Sequence, residues 1–233
     1  MSTTIEFPDR AAREFRDAAR VQQALTAPIE RRALAWLARR TPEPVSPDHL
    51  TALGFAAQLF AGASYAAARW NKYALLLVVF FIAANWLGDS LDGTLARYRQ
   101  RLRPRYGFYV DHMVDTFGAV FLTAGLAASG YVHWQIAAAM LAAFLVLSIE
   151  TYLAAYTLHE FRLSYGLFGP TELRILLIAG TIALLVHPFA RLFGHRFLLF
   201  DVGGACAAAG MLGTAAVAAI RHTMQLYSEE RGS

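Results

Sequence analysis

Residues 74–115 read ALLLVVFFIAANWLGDSLDGTLARYRQRLRPRYGFYVDHMVD. The stretch begins in apolar sequence, with no charge from Tyr73 to Gly88, and then sets Asp89 and Asp92 before an arginine-rich turn and Asp111 and Asp115 after it. On a helix an i,i+3 pair lies about 60° apart and an i,i+4 pair about 40° apart, so each pair of acids occupies one side of its helix. The short connection predicts that the two helices are antiparallel neighbours with their acidic faces meeting at one depth. Ionised carboxylates at the edge of hydrocarbon are costly and mark function more often than packing.

The rest of the chain fits a bilayer. It is 57% hydrophobic and only 16% charged, below the share of about a quarter usual for soluble domains. A span needs roughly 20 apolar residues. Charge-free or nearly charge-free runs predict six spans, at about 49–69, 72–96, 107–129, 133–157, 171–190 and 198–221. Ser46-Pro47-Asp48 is a start signal for the first: an N-cap, a proline at the first helical position and an acid in the first turn. Residues 1–24 have a charged, helical look, and 28–40 form an amphipathic pattern. Ile29, Ala33, Trp36 and Leu37 share a face there, with Arg31, Arg32, Arg39 and Arg40 at its edges, a pattern suited to the headgroup layer. The expected fold class is therefore all-α: a polytopic membrane protein of six transmembrane helices behind an amphipathic interfacial helix. The expected organisation is 1–45 cytoplasmic and interfacial helices, 46–225 the transmembrane domain and 226–233 a tail.

Basic residues set the expected orientation. Eight arginines precede the first span and five (Arg97, Arg99, Arg101, Arg103, Arg105) lie between the second and third, while the opposite connections hold few. By the positive-inside rule both termini and the acidic site face the cytoplasm. The alternating arginines of the 97–105 turn are read chiefly as attraction for anionic lipid. The same bias accounts for the net charge of +4, and no aromatic-basic interleaving calls for nucleic acid. Met1 to Arg20 lacks a signal-peptide pattern, so the first apolar span is expected to direct insertion. The single cysteine, Cys206, excludes an intrachain disulfide and is read as a small packing residue.

Four carboxylates in one place repel and call for cations. An all-oxygen set favours Mg²⁺, Mn²⁺ or Ca²⁺ over zinc, and a two-metal site suits phosphoryl transfer. Gly93 and Gly107, lacking side chains, would let a phosphate approach the backbone. The order Asp89-x2-Asp92-Gly93-x2-Ala96-Arg97, then Gly107-x3-Asp111-x3-Asp115, resembles the signature of the CDP-alcohol phosphotransferases, with nine residues rather than the family's eight between Arg97 and Gly107. The resemblance implies a transferase that moves a phospho-alcohol from a cytidine nucleotide to a hydroxyl and releases CMP. It implies that Asp89, Asp92, Asp111 and Asp115 bind metal, two Mg²⁺ or Mn²⁺ ions per site, and that Asp115 is the general base. Asp89, Asp92, Gly93, Ala96, Arg97 and Gly107 would line the nucleotide and diphosphate pocket, and a homodimer is implied as well.

Other polar groups are fewer. Asn85, one turn before Asp89, His112 and Glu150 are candidates for an acceptor pocket, with helix packing as the competing role of the first two. Glu172 begins the fifth span, where an acid suits the helix dipole, and Asp201 is expected to be solvated. The favoured donor is CDP-diacylglycerol with a small polar alcohol as acceptor, in a phospholipid-synthesis setting. The alternative is transfer from CDP-choline or CDP-ethanolamine to a diacylglycerol-like acceptor, hinted at by Glu150-Thr-Tyr and Gly166-Leu-Phe-Gly169-Pro170-Thr-Glu172. Two more distant readings are an intramembrane prenyltransferase, whose usual Asn-Asp start is here Gly88-Asp89, and a cation transporter, whose acids would lie nearer the midplane.

Overall fold

The computed structural model describes residues 19–21, 26–162 and 169–231. Seven helices are present among them: α1 Ala27–Arg40, α2 Pro47–Ala67, α3 Ala74–Tyr98, α4 Pro104–Ala128, α5 Trp134–Thr157, α6 Pro170–Val186 and α7 Leu199–Arg231. Four short strands accompany them: β1 Ala19–Val21, β2 Glu160–Arg162, β3 Phe189–Leu192 and β4 His195–Leu198. β1 pairs in parallel with β2, and β3 forms an antiparallel hairpin with β4. The class is all-α. Four helices, α2, α3, α5 and α7, are long and apolar enough to cross a membrane. With these helices the chain is a multi-pass membrane protein. α6, at 17 residues, is short for a span, and α4 carries Arg105, Asp111 and Asp115 in its first half.

The start of α2 is built as its sequence suggests. The His49 amide donates to Ser46 Oγ at 3.2 Å, and the Ser46 amide donates to His49 Nδ1 at 3.2 Å, a reciprocal cap with Pro47 at the first helical position.

α2 is the spine of the bundle. α3 and α4 share no extensive packing of their own; α2 lies against both. This corrects the expectation that the two acid-bearing helices are direct neighbours, and glycines supply the reason. A Cβ on Gly88 would stand 2.6 Å from the Gly54 nitrogen, so α2 and α3 touch backbone to backbone there. A Cβ on Gly125 would likewise strike the Gly62 carbonyl, where α2 crosses α4. Only glycine permits such crossings, and the close approach is a recurring way of packing apolar helices that lipid solvates equally well when apart.

Two apolar cores flank these crossings. One gathers Tyr65, Leu75, Val78, Ile82, Leu126, Leu184 and Phe200, and within it the Tyr65 and Thr181 hydroxyls bond at 2.6 Å, joining α2 to α6. The other, Leu34, Ala38, Leu50, Leu91 and Leu95, seats α1 on α2 and α3. Ile29 and Trp36 point away from that core and are exposed, so α1 presents apolar side chains outward as well as inward.

Several expectations are corrected. Residues 19–21 are strand rather than helix, and the remainder of 1–24 lies outside the described residues. The fifth expected span, α6, stops at Val186 instead of about 190, because Pro188 lacks the amide needed to continue it and residues 189–198 turn back as the hairpin. The turn uses Phe193 at φ 50° and Gly194 at φ 83°, backbone suited to a two-residue hairpin. The last helix continues to Arg231 rather than ending near 221. Cys206 is exposed on α7 rather than packed. Arg99 does not face lipid: its guanidinium donates to the carbonyls of Thr41, Pro42, Glu43 and Val45, clamping the α1–α2 loop to the end of α3. Arg103 pairs with Asp48. Asp201 is not solvated: it accepts from the His133 amide at 2.8 Å and ties the start of α5 to α7.

Candidate active site

Three helices contribute one pocket. Thr51, Gly54 and Phe55 come from α2, Asn85, Asp89 and Asp92 from α3, and Asp111, Val114 and Asp115 from α4. All four aspartates are half-buried. Helical spacing puts Asn85, Asp89 and Asp92 on one face of α3, and Asp111 and Asp115 on one face of α4. The Gly54–Gly88 crossing sinks α3 so close to α2 that Thr51 Oγ1 donates to Asp92 Oδ2 at 2.6 Å.

Asp89 turns another way. Its Oδ2 accepts from Arg174 Nη2 on α6 at 2.5 Å, while Arg174 Nε donates to Asn85 Oδ1 at 3.0 Å. Asn85 Nδ2 in turn donates to the Gly54 carbonyl at 3.0 Å. The chain Arg174–Asn85–Gly54 thus ties α6, α3 and α2 together directly behind the acids, and commits the Asn85 amide to helix contacts at the edge of the pocket. Arg174 escaped the sequence reading. Its signal was available, since a guanidinium near the start of an apolar helix must find a partner once buried.

With Asp89 turned to Arg174 and Asp92 to Thr51, among the described residues no group of three acidic, imidazole or thiol side chains stands at metal-ligand spacing. The donor set nevertheless suits a hard divalent cation: four carboxylates, with a threonine hydroxyl orienting one of them.

The other residues singled out by sequence fall at the margins. Ala96 is buried on α3, and Arg97 is exposed, with Nη2 at 3.4 Å from Thr94 Oγ1. A Cβ on Gly93 would meet only the Arg97 guanidinium, and one on Gly107 would meet nothing within 4 Å. Open space therefore borders the acids on the side of Gly93 and Gly107. His112 packs between the Phe108 and Tyr152 rings, with centroids at 4.1 and 4.6 Å. Glu150 Oε1 lies 2.6 Å from His222 Nδ1 and links α5 to α7. The structure therefore gathers Asn85 with the four aspartates and sets His112 and Glu150 outside that pocket. Glu172 closes the start of α6 on the Gly169 amide at 2.9 Å. Gly166 and its neighbours at 163–168 lie outside the described residues.

The family model described as CDP-alcohol phosphatidyltransferase matches residues 45–219. Two relatives bear the name archaetidylinositol phosphate synthase. That of Pyrococcus horikoshii is 29% identical over 113 residues, covering 48% of this chain and 53% of the relative. That of Methanothermobacter thermautotrophicus is 29% identical over 164 residues, covering 70% and 78%. The chain thus spans about half the length of the first relative and about three quarters of the second. Among solved structures, Mycobacterium tuberculosis phosphatidylinositol phosphate synthase with CDP-DAG bound superposes with a TM-score of 0.50 at 21% identity, over 87% of this chain and 92% of that one. At that identity the likeness speaks for the fold.

Proposed function

The chain belongs to the CDP-alcohol phosphatidyltransferase family and is a transferase, and on that premise we propose that it moves a phosphatidyl group from CDP-diacylglycerol to a small polar alcohol, with release of CMP, at the pocket between α2, α3 and α4. The observation that carries the reading is the convergence of Asp89, Asp92, Asp111 and Asp115 on one pocket from two helices that scarcely touch. The relatives are named inositol phosphate lipid synthases, which makes an inositol phosphate the first acceptor to try. The solved structure with CDP-DAG keeps that donor first.

In this reading the four aspartates hold Mg²⁺ or Mn²⁺, which supplies neutralisation of the diphosphate charge. Thr51 keeps Asp92 turned toward the pocket. Asp115 takes the acceptor proton as the acceptor oxygen forms its bond to the phosphorus carrying the lipid, and the bond from that phosphorus to the CMP oxygen breaks. Gly93, Ala96, Arg97 and Gly107 border the diphosphate, with the open flank at Gly93 and Gly107 admitting the nucleotide. Phe55 and Val114 limit water at the reacting centre, where electrostatic stabilisation is strongest.

The same reading extends to the whole molecule. Residues 46–225 form the catalytic transmembrane domain, with 1–45 and 226–233 flanking it. α4 and α6 complete a six-span bundle, supported by the packing of α4 on α2 and of α6 on α3. The termini and the acidic pocket face the cytoplasm, supported by the arginine bias, and two copies form the working unit.

The test is CMP release by the purified protein in lipid. CDP-diacylglycerol, CDP-choline and CDP-ethanolamine are each offered with inositol phosphate, inositol, glycerol phosphate and diacylglycerol. CDP-diacylglycerol alone is expected to support release, which chelation abolishes and Mg²⁺ or Mn²⁺ restores. Asp115→Asn is expected to lower kcat by roughly 10²- to 10⁴-fold, the range for loss of a general base. Release from CDP-choline but not from CDP-diacylglycerol would overturn the choice of donor, and full activity in Asp115→Asn would overturn the choice of base.

A further inference from the structure

Outside the acidic pocket lies a fifth carboxylate that the reaction does not use. Glu30 is on α1, the helix with the exposed Ile29 and Trp36, yet only 8% of the residue is exposed. Its Oε1 accepts three hydrogen bonds, from Trp86 Nε1 at 2.9 Å, Ser90 Oγ at 3.1 Å and Thr171 Oγ1 at 2.9 Å. Trp86 and Ser90 are on α3 and Thr171 is on α6, so one oxygen joins three helices. Among the described residues, Oε2 is the buried side-chain polar atom left without a hydrogen-bond partner. A buried carboxylate half satisfied in this way is costly unless a positive charge stands nearby.

That charge is Arg174. Ser90 is the residue after Asp89, and Thr171 is one turn before Arg174 on the same side of α6. Glu30 thus bonds to a neighbour of each member of the Arg174–Asp89 pair, Ser90 beside Asp89 and Thr171 one turn before Arg174, and acts electrostatically on the guanidinium. The Arg174 side chain is 18% exposed, so it needs an anion at all times. Asp89 is claimed twice, by Arg174 in this structure and by a divalent cation in the proposed reaction. Asp115 also acts on the guanidinium, but in the proposed reaction it too belongs to the cation, so surrendering both would leave a largely buried guanidinium uncompensated, were no other anion beside it.

We propose that Glu30 is a positioning residue of the active site, the standing counter-ion that keeps Arg174 in place when Asp89 turns to a divalent cation. The proposal rests on the metal-binding reading of the four aspartates given above. It makes the amphipathic helix α1 part of the site, because the charge that balances Arg174 comes from that helix.

The test is Mn²⁺ binding, read by electron paramagnetic resonance without substrate, on the full chain in nanodiscs of phosphatidylcholine and phosphatidylglycerol. Glu30→Gln keeps an acceptor for the three donors and removes only the charge. It is expected to weaken Mn²⁺ binding roughly tenfold, the scale of one charge acting across a partly buried distance. Arg174→Gln is expected to bind at least as tightly as wild type, since nothing then competes for Asp89. In the Arg174→Gln background, Glu30→Gln is expected to change nothing. A brace acting only through packing would lower the melting temperature and leave Mn²⁺ affinity unaltered. Wild-type affinity in Glu30→Gln, or an equal loss in both backgrounds, would overturn the proposal. If the single variant does not fold, the doubly substituted protein, which buries neither charge alone, is compared with Arg174→Gln, and a difference in affinity between them overturns it. Wild-type protein that binds no Mn²⁺, or binds it unchanged in Asp89→Asn, would overturn the metal reading itself.

Discussion

Gly88→Ala adds one methyl group at the point where the site is assembled. The new Cβ would stand 2.6 Å from the Gly54 nitrogen and from the Leu50 carbonyl oxygen, and 2.8 Å from the Gly54 Cα, where ordinary contact begins near 3.4 Å. All three neighbours are backbone, so no side chain can swing aside. α3 must therefore move off α2 by about 0.8 Å, the shortfall in that spacing. Asp89 is the next residue and Asp92 one turn further, and both are carried outward. The 2.6 Å bond from Thr51 to Asp92 then stretches to the edge of hydrogen-bond range. Overpacking costs about 1–3 kcal/mol, partly offset by the roughly 1 kcal/mol that alanine gains over glycine in a helix. The net loss of stability should be only about 0–2 kcal/mol. Misplacing reacting groups by about 1 Å costs on the order of 10²-fold in rate, so kcat/KM should fall far more than stability does. The assay pairs CMP release with thermal unfolding in the same detergent. Gly203→Ala is the control: it lies on α7 with nothing within 4 Å of its Cβ, and should keep full activity. Wild-type kcat/KM in Gly88→Ala would refute the claim that backbone contact at this crossing sets the pocket.

Further variants probe separate parts of the same assembly. Thr51→Val keeps the shape of the α2 start but removes the hydroxyl donor to Asp92, and should raise the metal concentration for half-maximal CMP release by roughly ten- to a hundredfold, about the worth of one hydrogen bond to a charged group; an unchanged metal requirement would show that Thr51 does not orient Asp92. Arg99→Ala removes the clamp on the carbonyls of residues 41–45 and should destabilise the protein by about 2 kcal/mol, read as a lower melting temperature that added anionic lipid does not restore. Recovery with lipid would instead support the anionic-lipid role first read from sequence. Glu150→Gln, which weakens the link to His222 between α5 and α7, should cost about 1–3 kcal/mol of stability. An inositol phosphate KM raised by more than tenfold without loss of stability would place Glu150 in the acceptor pocket after all.

The four aspartates were legible because their message is local. Spacings of three and four residues state which side of a helix a carboxylate occupies, whatever that helix later meets, and Ser46-Pro47 names the start of α2 for the same reason. What the spacing does not carry is the neighbour. Apolar faces of different helices look alike, and in lipid no hydrophobic penalty singles out one pairing over another. The short 99–103 connection therefore suggested that α3 rests on α4, whereas Gly54 and Gly62 bring α2 against both. Arg174 and Glu30 were overlooked on similar grounds. One sits near the start of an apolar run and the other on an amphipathic helix rich in charge, and neither shows that it is buried until the helices are packed.

The sequence by itself determined that the chain is a helical membrane protein, which residues are acidic at the adjoining ends of two helices, and to which family it belongs, since all three are written in composition and short spacing. Only the tertiary structure decided that α2 is the spine, that Asp89 is shared with Arg174, and that α1 stands behind the site through Glu30. Each of those depends on which surfaces meet across 41 to 141 residues of chain, and that choice is made by backbone approach and buried charge compensation rather than by any local pattern.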